Sequence, residues 1–128
     1  MRFRTFEEID AWQKSRELNR AISRVTRRPP WCRDFVLRNQ TEKASLSIMS
    51  NIAEGFERNG NAEFVQFLFI SKASCGEVRS QLYVALDEEY ISGDEFHLLS
   101  ERAKEVSRLL GGLITYLQTS ELKGPKFK

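Results

Sequence analysis

Apolar residues recur three and four positions apart along four long segments of this chain, and this spacing constrains the fold more than any other feature. In a helix, such spacing places side chains along one face. The last segment shows it without interruption, at Phe96, Leu99, Ala103, Val106, Leu110, Leu113 and Leu117. No segment alternates apolar and polar residues as a strand would. The spacing predicts one domain with helices over about 6–28, 35–58, 62–88 and 93–119, and a frayed tail at 120–128.

Turn and capping residues stand between these segments. Pro29-Pro30 removes backbone donors and ends the first helix, and Gly60 suits a left-handed cap after the second. Asp34 is suited to cap the start of the second helix. Two hydroxyl residues are followed by glutamate three positions on, which is typical of capping boxes: Thr5 with Glu8, and Ser92 with Glu95. Because the connections are short, neighbouring helices should run antiparallel. The sequence therefore predicts an all-α, antiparallel up-down-up-down four-helix bundle.

Residues that could form a catalytic or metal site are few. Hydrophobic residues make up 41% of the 128, so the core needs neither disulfide nor metal. Cys32 and Cys75 form no CxxC pair, and we expect a reducing, cytoplasmic setting. His97 is the single histidine and no glutamate lies three positions before it, so we expect no di-iron site, other metal or cofactor. No apolar run is long enough to cross a membrane. We expect a protein that is not an enzyme.

Arginines form a stripe on the first helix. The net charge is only +2, but residues 1–38 hold ten basic against five acidic side chains. Four arginines lie opposite the apolar face within about 80° of arc: Arg16, Arg20, Arg24 and Arg27. Five others could extend the basic surface: Arg2, Arg4, Arg28, Arg33 and Arg38. One interpretation is a face that contacts the phosphates of RNA or DNA, and the other is a face that is simply solvated.

Polar residues flank the apolar lines of the second and third helices. The candidate network residues are Ser47, Asn51 and Glu54 on the second helix, and Ser74, Glu77 and Gln81 on the third. Because buried polar groups must be paired, we predict a hydrogen-bonded network that fixes the helix register. The alternative is a catalytic pair of carboxylates, Glu54 with Glu77. It is less favoured because no nucleophile or histidine joins them.

The second and third helices are apolar on more than one side, and the second helix carries a second apolar line. Leu46, Met49 and Phe56 lie opposite the main core line of that helix. A monomeric bundle needs one apolar stripe per helix, so the second stripe predicts a subunit interface. The alternative is that Met49 and Phe56 wrap under a loop.

Two sequence blocks carry a family resemblance: SIMSNIAEG at 47–55 and SCGEVRSQL at 74–82. With the opening FEEIDAWQKSREL, they resemble the bacterial four-helix-bundle proteins encoded by intervening sequences in large-subunit ribosomal RNA genes. Those proteins are similar in turn to the accessory variability proteins of diversity-generating retroelements. The motif positions that carry over have no enzymatic role in the family: Ser47, Asn51, Glu54, Gly55, Ser74, Glu77 and Gln81.

The resemblance implies a ring-like homopentamer. For the retroelement members it also implies a basic surface that binds nucleic acid and a partner reverse transcriptase. Our leading hypothesis is a non-enzymatic, oligomeric protein that binds nucleic acid or assists a reverse transcriptase. The alternative is a structural assembly protein of the ribosomal RNA intervening-sequence type with no nucleic-acid role.

Overall fold

The computed structural model describes residues 3–123, and four long helices account for most of them. Helix α1 spans Asp10–Thr26, α2 spans Phe35–Phe56, α3 spans Asn61–Asp87 and α4 spans Gly93–Lys123. Single turns of 3-10 helix at Phe6–Glu8 and Trp31–Arg33 precede α1 and α2. The tail predicted to fray from residue 120 is helical as far as Lys123, and residues 124–128 lie outside the described part.

The helices pack in chain order. Helix α1 packs against α2, α2 against α3, α3 against α4, and α4 returns to α1. This arrangement confirms the predicted all-α, antiparallel four-helix bundle, and residues 3–123 contain no strand. No helix within that range is long and apolar enough to cross a membrane.

The predicted N-terminal helix caps are formed at two of three places. The Leu37 amide donates to the Asp34 carboxylate over 3.1 Å. The Glu95 amide donates to Ser92 Oγ over 3.1 Å, and the Ser92 amide donates back to Glu95 Oε1 over 2.9 Å. The capping box predicted at Thr5 is wrong, because its side chain makes no capping bond. Residues 6–8 instead close a 3-10 turn through backbone bonds, and α1 begins only after Ile9.

One end of the bundle is clamped by a salt bridge between the α1–α2 connection and the first turn of α4. The Arg28 guanidinium donates to both carboxylate oxygens of Glu95 over 2.7 and 2.9 Å, and to the Tyr90 carbonyl over 3.1 Å. Trp31 is fully buried beneath and stacks on the Tyr90 ring at 5.9 Å between centroids. The bonds from Arg28, and then from the Ser92 amide, lower the pKa of Glu95 to about 2. The clamp ties the α1–α2 connection to the start of α4.

Candidate nucleic-acid interface

The arginine stripe lies on the outer face of α1. On the opposite face, Leu18, Ile22 and Val25 are buried in the core. Residues half a turn away from that line must therefore point into solvent. All four stripe arginines are exposed: Arg16, Arg20, Arg24 and Arg27. They extend over roughly 16 Å of helix at 1.5 Å per residue.

Most of the charge on the stripe is not neutralised. Arg27 Nε lies 3.6 Å from Glu42 Oε2 on α2, but the Arg27 side chain remains largely exposed. Within the side chains that the structure describes, residues 3–120, the other three stripe arginines have no carboxylate oxygen within 4.0 Å. Exposed guanidinium groups without an acidic partner keep their donors free for phosphate oxygens, which they can bind in bidentate fashion.

Two shallow grooves follow the stripe and meet at Arg20. The first is lined by Asn19, Arg20, Ser23, Arg24, Arg27 and Arg28. The second is lined by Glu7, Trp12, Gln13, Arg16, Glu17 and Arg20. The amide and hydroxyl groups beside the arginines add neutral hydrogen-bonding groups of the kind that contact phosphate and sugar. The surface is therefore open and elongated rather than a closed pocket.

Two of the arginines expected to extend the stripe are engaged elsewhere. Arg28 is bound to Glu95 in the clamp, which also raises the pKa of Arg28. Arg38 donates to a backbone carbonyl of the preceding loop over 3.1 Å. Arg4 and Arg33 are exposed, and Arg4 Nε lies 3.9 Å from Glu8 Oε2. Arg2 lies outside the described residues.

Three of the six predicted network residues are joined by hydrogen bonds where α2 meets α3. The hydroxyl oxygens of Ser47 and Ser74 lie 2.9 Å apart. Asn51 Nδ2 donates to the Ser47 hydroxyl over 2.9 Å and to the Ser47 carbonyl over 2.8 Å. These bonds pair polar groups that the helix contact would otherwise leave without partners.

The other three predicted network residues are not part of these bonds. Glu54 accepts a bond from Arg58 of its own helix over 3.0 Å, and Glu77 is exposed. Gln81 is half-buried, and its Oε1 has no hydrogen-bond partner among the described residues. The glutamates lie three residues after Asn51 and Ser74, which turns each of them about 60° from the contact line toward solvent. The predicted network is therefore smaller than the sequence indicated.

Gly55 is the motif residue whose role the sequence did not reveal. A Cβ atom at this position would lie 2.5 Å from Phe67 Cβ and 3.1 Å from Phe64 Cδ1. Helices α2 and α3 therefore approach so closely here that only a glycine fits. The SNIAEG block thus contributes the hydrogen bonds of Asn51 and, at Gly55, the close approach of α2 to α3.

The apolar line of α2 is only partly available to a partner. Leu46 is 54% exposed, whereas Met49 is half-buried. Phe56 packs against the core, with its ring edge-on to Phe64 at 5.9 Å. Phe56 therefore offers less surface to a partner than Leu46 does.

A broader exposed apolar surface lies on α3, where no interface residue was predicted from the sequence. Phe69 is 50% exposed, Ile70 48% and Val84 44%. Ala73 and Gly76 between them are also exposed, and helical spacing puts all five on one face, where the exposed polar residues Glu77 and Ser80 separate Val84 from the other four. We call this set the α3 apolar face. The apolar residues of this face are visible in the sequence of α3. Which of them remain exposed depends on how α3 packs against the other helices.

The environment of Cys75 does not activate its thiol. Cys75 is buried and its thiol lies 3.1 Å from the Ala103 carbonyl, to which it donates. Burial raises the pKa of Cys75 to about 11, despite the opposing positive charges of Arg79 and Lys72. A thiol in this state is neutral and is a poor nucleophile at neutral pH. Among the described residues, no cluster of three histidine, cysteine or acidic side chains could hold a metal ion.

Known proteins share both the fold and the sequence pattern. A solved structure from Bacteroides thetaiotaomicron, described as a protein of unknown function from the S23 ribosomal protein family, has a similar fold with a TM-score of 0.75. It is 24% identical, and the match covers 82% of this chain and 95% of that one. Comparison with curated proteins gives no match. The family model for 23S rRNA-intervening sequence proteins matches residues 7–112. The chain therefore belongs to the 23S rRNA-intervening sequence protein family.

Proposed function

We propose that this protein is a non-enzymatic nucleic-acid-binding protein that holds the phosphate backbone of structured RNA or duplex DNA along α1. The observation that carries the proposal is the exposure of four aligned arginines, three of them without a carboxylate partner in the described residues. Like charges one helical turn apart repel each other and cost a few tenths of a kcal/mol per pair. An anionic partner would offset that repulsion.

Binding through phosphates alone should be independent of sequence and strongly dependent on salt. Each phosphate neutralised on B-DNA contributes about 0.9 to the slope of log affinity against log salt. The test is fluorescence anisotropy of a labelled duplex across a salt series, comparing Arg20→Gln with Lys43→Gln. Lys43 is exposed on α2 and lines neither groove of the stripe, and both substitutions remove one positive charge. Arg20→Gln should lower the slope by about one, and Lys43→Gln should leave it unchanged. Equal slopes for the two variants would contradict the proposal.

The resemblance to the accessory variability proteins supports a reverse transcriptase as the protein partner. We propose that this partner would bind together with the nucleic acid. The test is co-purification with a reverse transcriptase of a diversity-generating retroelement, with and without nuclease treatment. Complete failure to co-purify would leave nucleic acid as the ligand and remove the accessory role.

A structural assembly role is the second candidate, and the exposed α3 apolar face favours it. Exposed apolar residues that are neighbours on one helix face, as Phe69, Ile70 and Ala73 are, commonly mark an interaction site. In a ring, two different patches of one subunit must meet. We propose that the α3 apolar face of one copy packs against the patch around Leu46 of the next, and that five copies close the ring.

The assembly is tested by light scattering at micromolar concentration. The wild-type mass should be several times the 14.9 kDa of one chain. Either Ile70→Glu or Leu46→Glu should reduce it to one chain, because each would bury an unpaired charge in the interface. Gln118→Glu, at an exposed polar position on α4, is the matched control and should not change the mass. A wild-type monomer would contradict the assembly.

A further inference from the structure

A second cluster of positive charge lies in the groove between α3 and α4. Two cations come from each helix and line one elongated depression: Lys72, Arg79, Lys104 and Arg108. Ser107 and Gly111 complete the lining. Lys72 and Arg79 are two turns apart on one face of α3, and Lys104 and Arg108 are one turn apart on α4. The segment from residue 39 onward is acidic, with thirteen acidic against ten basic side chains, so this cluster is a local exception.

The charge of this α3–α4 groove is poorly neutralised. Lys104 Nζ lies 3.4 Å from Glu101 on its own helix, and both side chains are about half exposed. In the part of the chain whose side chains are described, the other three cations have no carboxylate oxygen within 4.0 Å. Four positive charges converging from two helices, with one carboxylate within 4.0 Å among the described side chains, favour an anionic ligand that is long enough to follow the groove.

An exposed aromatic ring continues the groove. Tyr83 lies one helical turn beyond Arg79 on α3, and 60% of it is exposed. Its ring is held edge-on against Phe96 of α4, at 4.8 Å between centroids and 62° between planes. The ring therefore sits over the α3–α4 boundary in a fixed orientation with surface available to a planar group. Aromatic rings next to a basic groove are the elements with which proteins bind single-stranded nucleic acid.

We infer that the α3–α4 groove binds a single strand of RNA or DNA, with the four cations on successive phosphates and Tyr83 stacked on an unpaired base. This surface shares the ligand class of the proposed function but none of its residues. The α1 stripe has no comparable exposed ring in its grooves, where Trp12 is half-buried and packed against Phe6. The two surfaces should therefore prefer different ligands: the α1 stripe should prefer duplex, and the α3–α4 groove should prefer a single strand.

The test compares two variants with the same charge change. The groove variant replaces Lys72, Arg79, Lys104 and Arg108 with Gln, and the stripe variant replaces Arg16, Arg20, Arg24 and Arg27 with Gln. A labelled single-stranded oligonucleotide without secondary structure is titrated by fluorescence anisotropy at low salt. Affinity of the wild type should fall about fiftyfold over a fourfold rise in salt, from a slope near −0.7 per phosphate and four contacts. The groove variant should lose this binding, and the stripe variant should retain most of it.

Tyr83 separates stacking from charge alone. Tyr83→Leu should weaken single-strand binding by about tenfold, because it removes a base–aromatic contact. Tyr83→Phe keeps the ring and should bind as the wild type does. Equal single-strand binding by wild type and groove variant, or by wild type and Tyr83→Leu, would overturn the inference. Competition by polyglutamate as effective as competition by the single strand would also overturn it, since an acidic peptide offers nothing to stack.

The outcomes distinguish this inference from the proposed function. In one outcome, the stripe variant loses duplex binding and the groove variant still binds the single strand as the wild type does. The inference then fails and the α1 proposal stands. If the groove variant loses single-strand binding while the stripe variant keeps full duplex binding, the inference stands and the α1 proposal fails.

Discussion

Gly55 provides the sharpest test of how the SNIAEG block stabilises the bundle. The substitution Gly55→Ala adds a single methyl group in the last turn of α2. That carbon would lie 2.5 Å from Phe67 Cβ, well inside the contact distance of two carbon atoms. Because Phe67 Cβ is fixed to the α3 backbone, rotation of the phenylalanine ring cannot relieve the overlap. The two helices must move apart near this point.

The net effect has two opposing parts. Alanine in place of glycine inside a helix is favourable by about 1 kcal/mol. Overpacking a close contact costs about 1–3 kcal/mol. We therefore expect Gly55→Ala to lower the free energy of unfolding by about 1–2 kcal/mol, since the overlap is severe and involves a backbone-anchored atom. For a chain of this size that corresponds to a drop of roughly 3–8 °C in Tm.

Gly112 supplies the matched control. It lies inside α4, is exposed, and a Cβ atom there would meet nothing within 4 Å. Gly112→Ala should therefore raise stability by about 0.5–1 kcal/mol, as helix propensity alone predicts. Urea unfolding followed by far-UV circular dichroism measures both variants. If Gly55→Ala were as stable as Gly112→Ala, α2 and α3 would not approach closely at Gly55 and the reasoning would be refuted.

Two further predictions concern hydrogen bonds at other contacts. The folded pKa of Glu95, about 2, lies below the ordinary carboxyl pKa of 4.5, so the clamp to Arg28 stabilises the protein above about pH 4.5 and this contribution disappears as the pH falls toward 2. After allowance for solvent screening, Glu95→Gln should lower the free energy of unfolding by about 1 kcal/mol near neutral pH and by almost nothing near pH 2. Urea unfolding at both pH values measures this difference, and an equal loss at both would contradict the prediction. Ser74→Ala should cost about 1 kcal/mol because it removes the partner of Ser47, whereas the exposed Glu77→Ala should cost less than about 0.5 kcal/mol. Equal unfolding midpoints for Ser74→Ala and Glu77→Ala would contradict the smaller network seen across α2 and α3.

The bundle could be predicted because its signals are local and repeat along the chain. Each of these signals involves residues that are close together in the sequence. Examples are the three- and four-residue spacing in α4, the proline pair after α1 and the Ser92–Glu95 capping box. The first capping box failed because a 3-10 turn competed with it for the same short segment. Such competition depends on how residues 6–8 pack on the rest of the protein, which the local pattern does not contain.

The surfaces were harder to predict because they depend on which helices meet. The stripe on α1 needed only one helical wheel, and its arginines are exposed as expected. The α3–α4 groove combines cations that are far apart in sequence, so no single helix shows it. Likewise, the sequence pattern puts Glu77 and Ser74 on the same side of α3. Glu77 is turned about 60° around the helix from Ser74, which is enough to place it in solvent rather than in the hydrogen-bonded contact. The close approach at Gly55 required the distance between two helices.

The most direct test of the central claim is the salt dependence of duplex binding by the wild-type protein and by the stripe variant, with Arg16, Arg20, Arg24 and Arg27 replaced by Gln. The fold should be unchanged, because all four side chains are exposed. If four phosphates are contacted, wild-type affinity should fall about a hundredfold between 50 and 200 mM salt. The account predicts this steep decline for the wild type and no measurable binding for the stripe variant. Equal binding by both proteins, or no wild-type binding at about 50 mM salt, would contradict it.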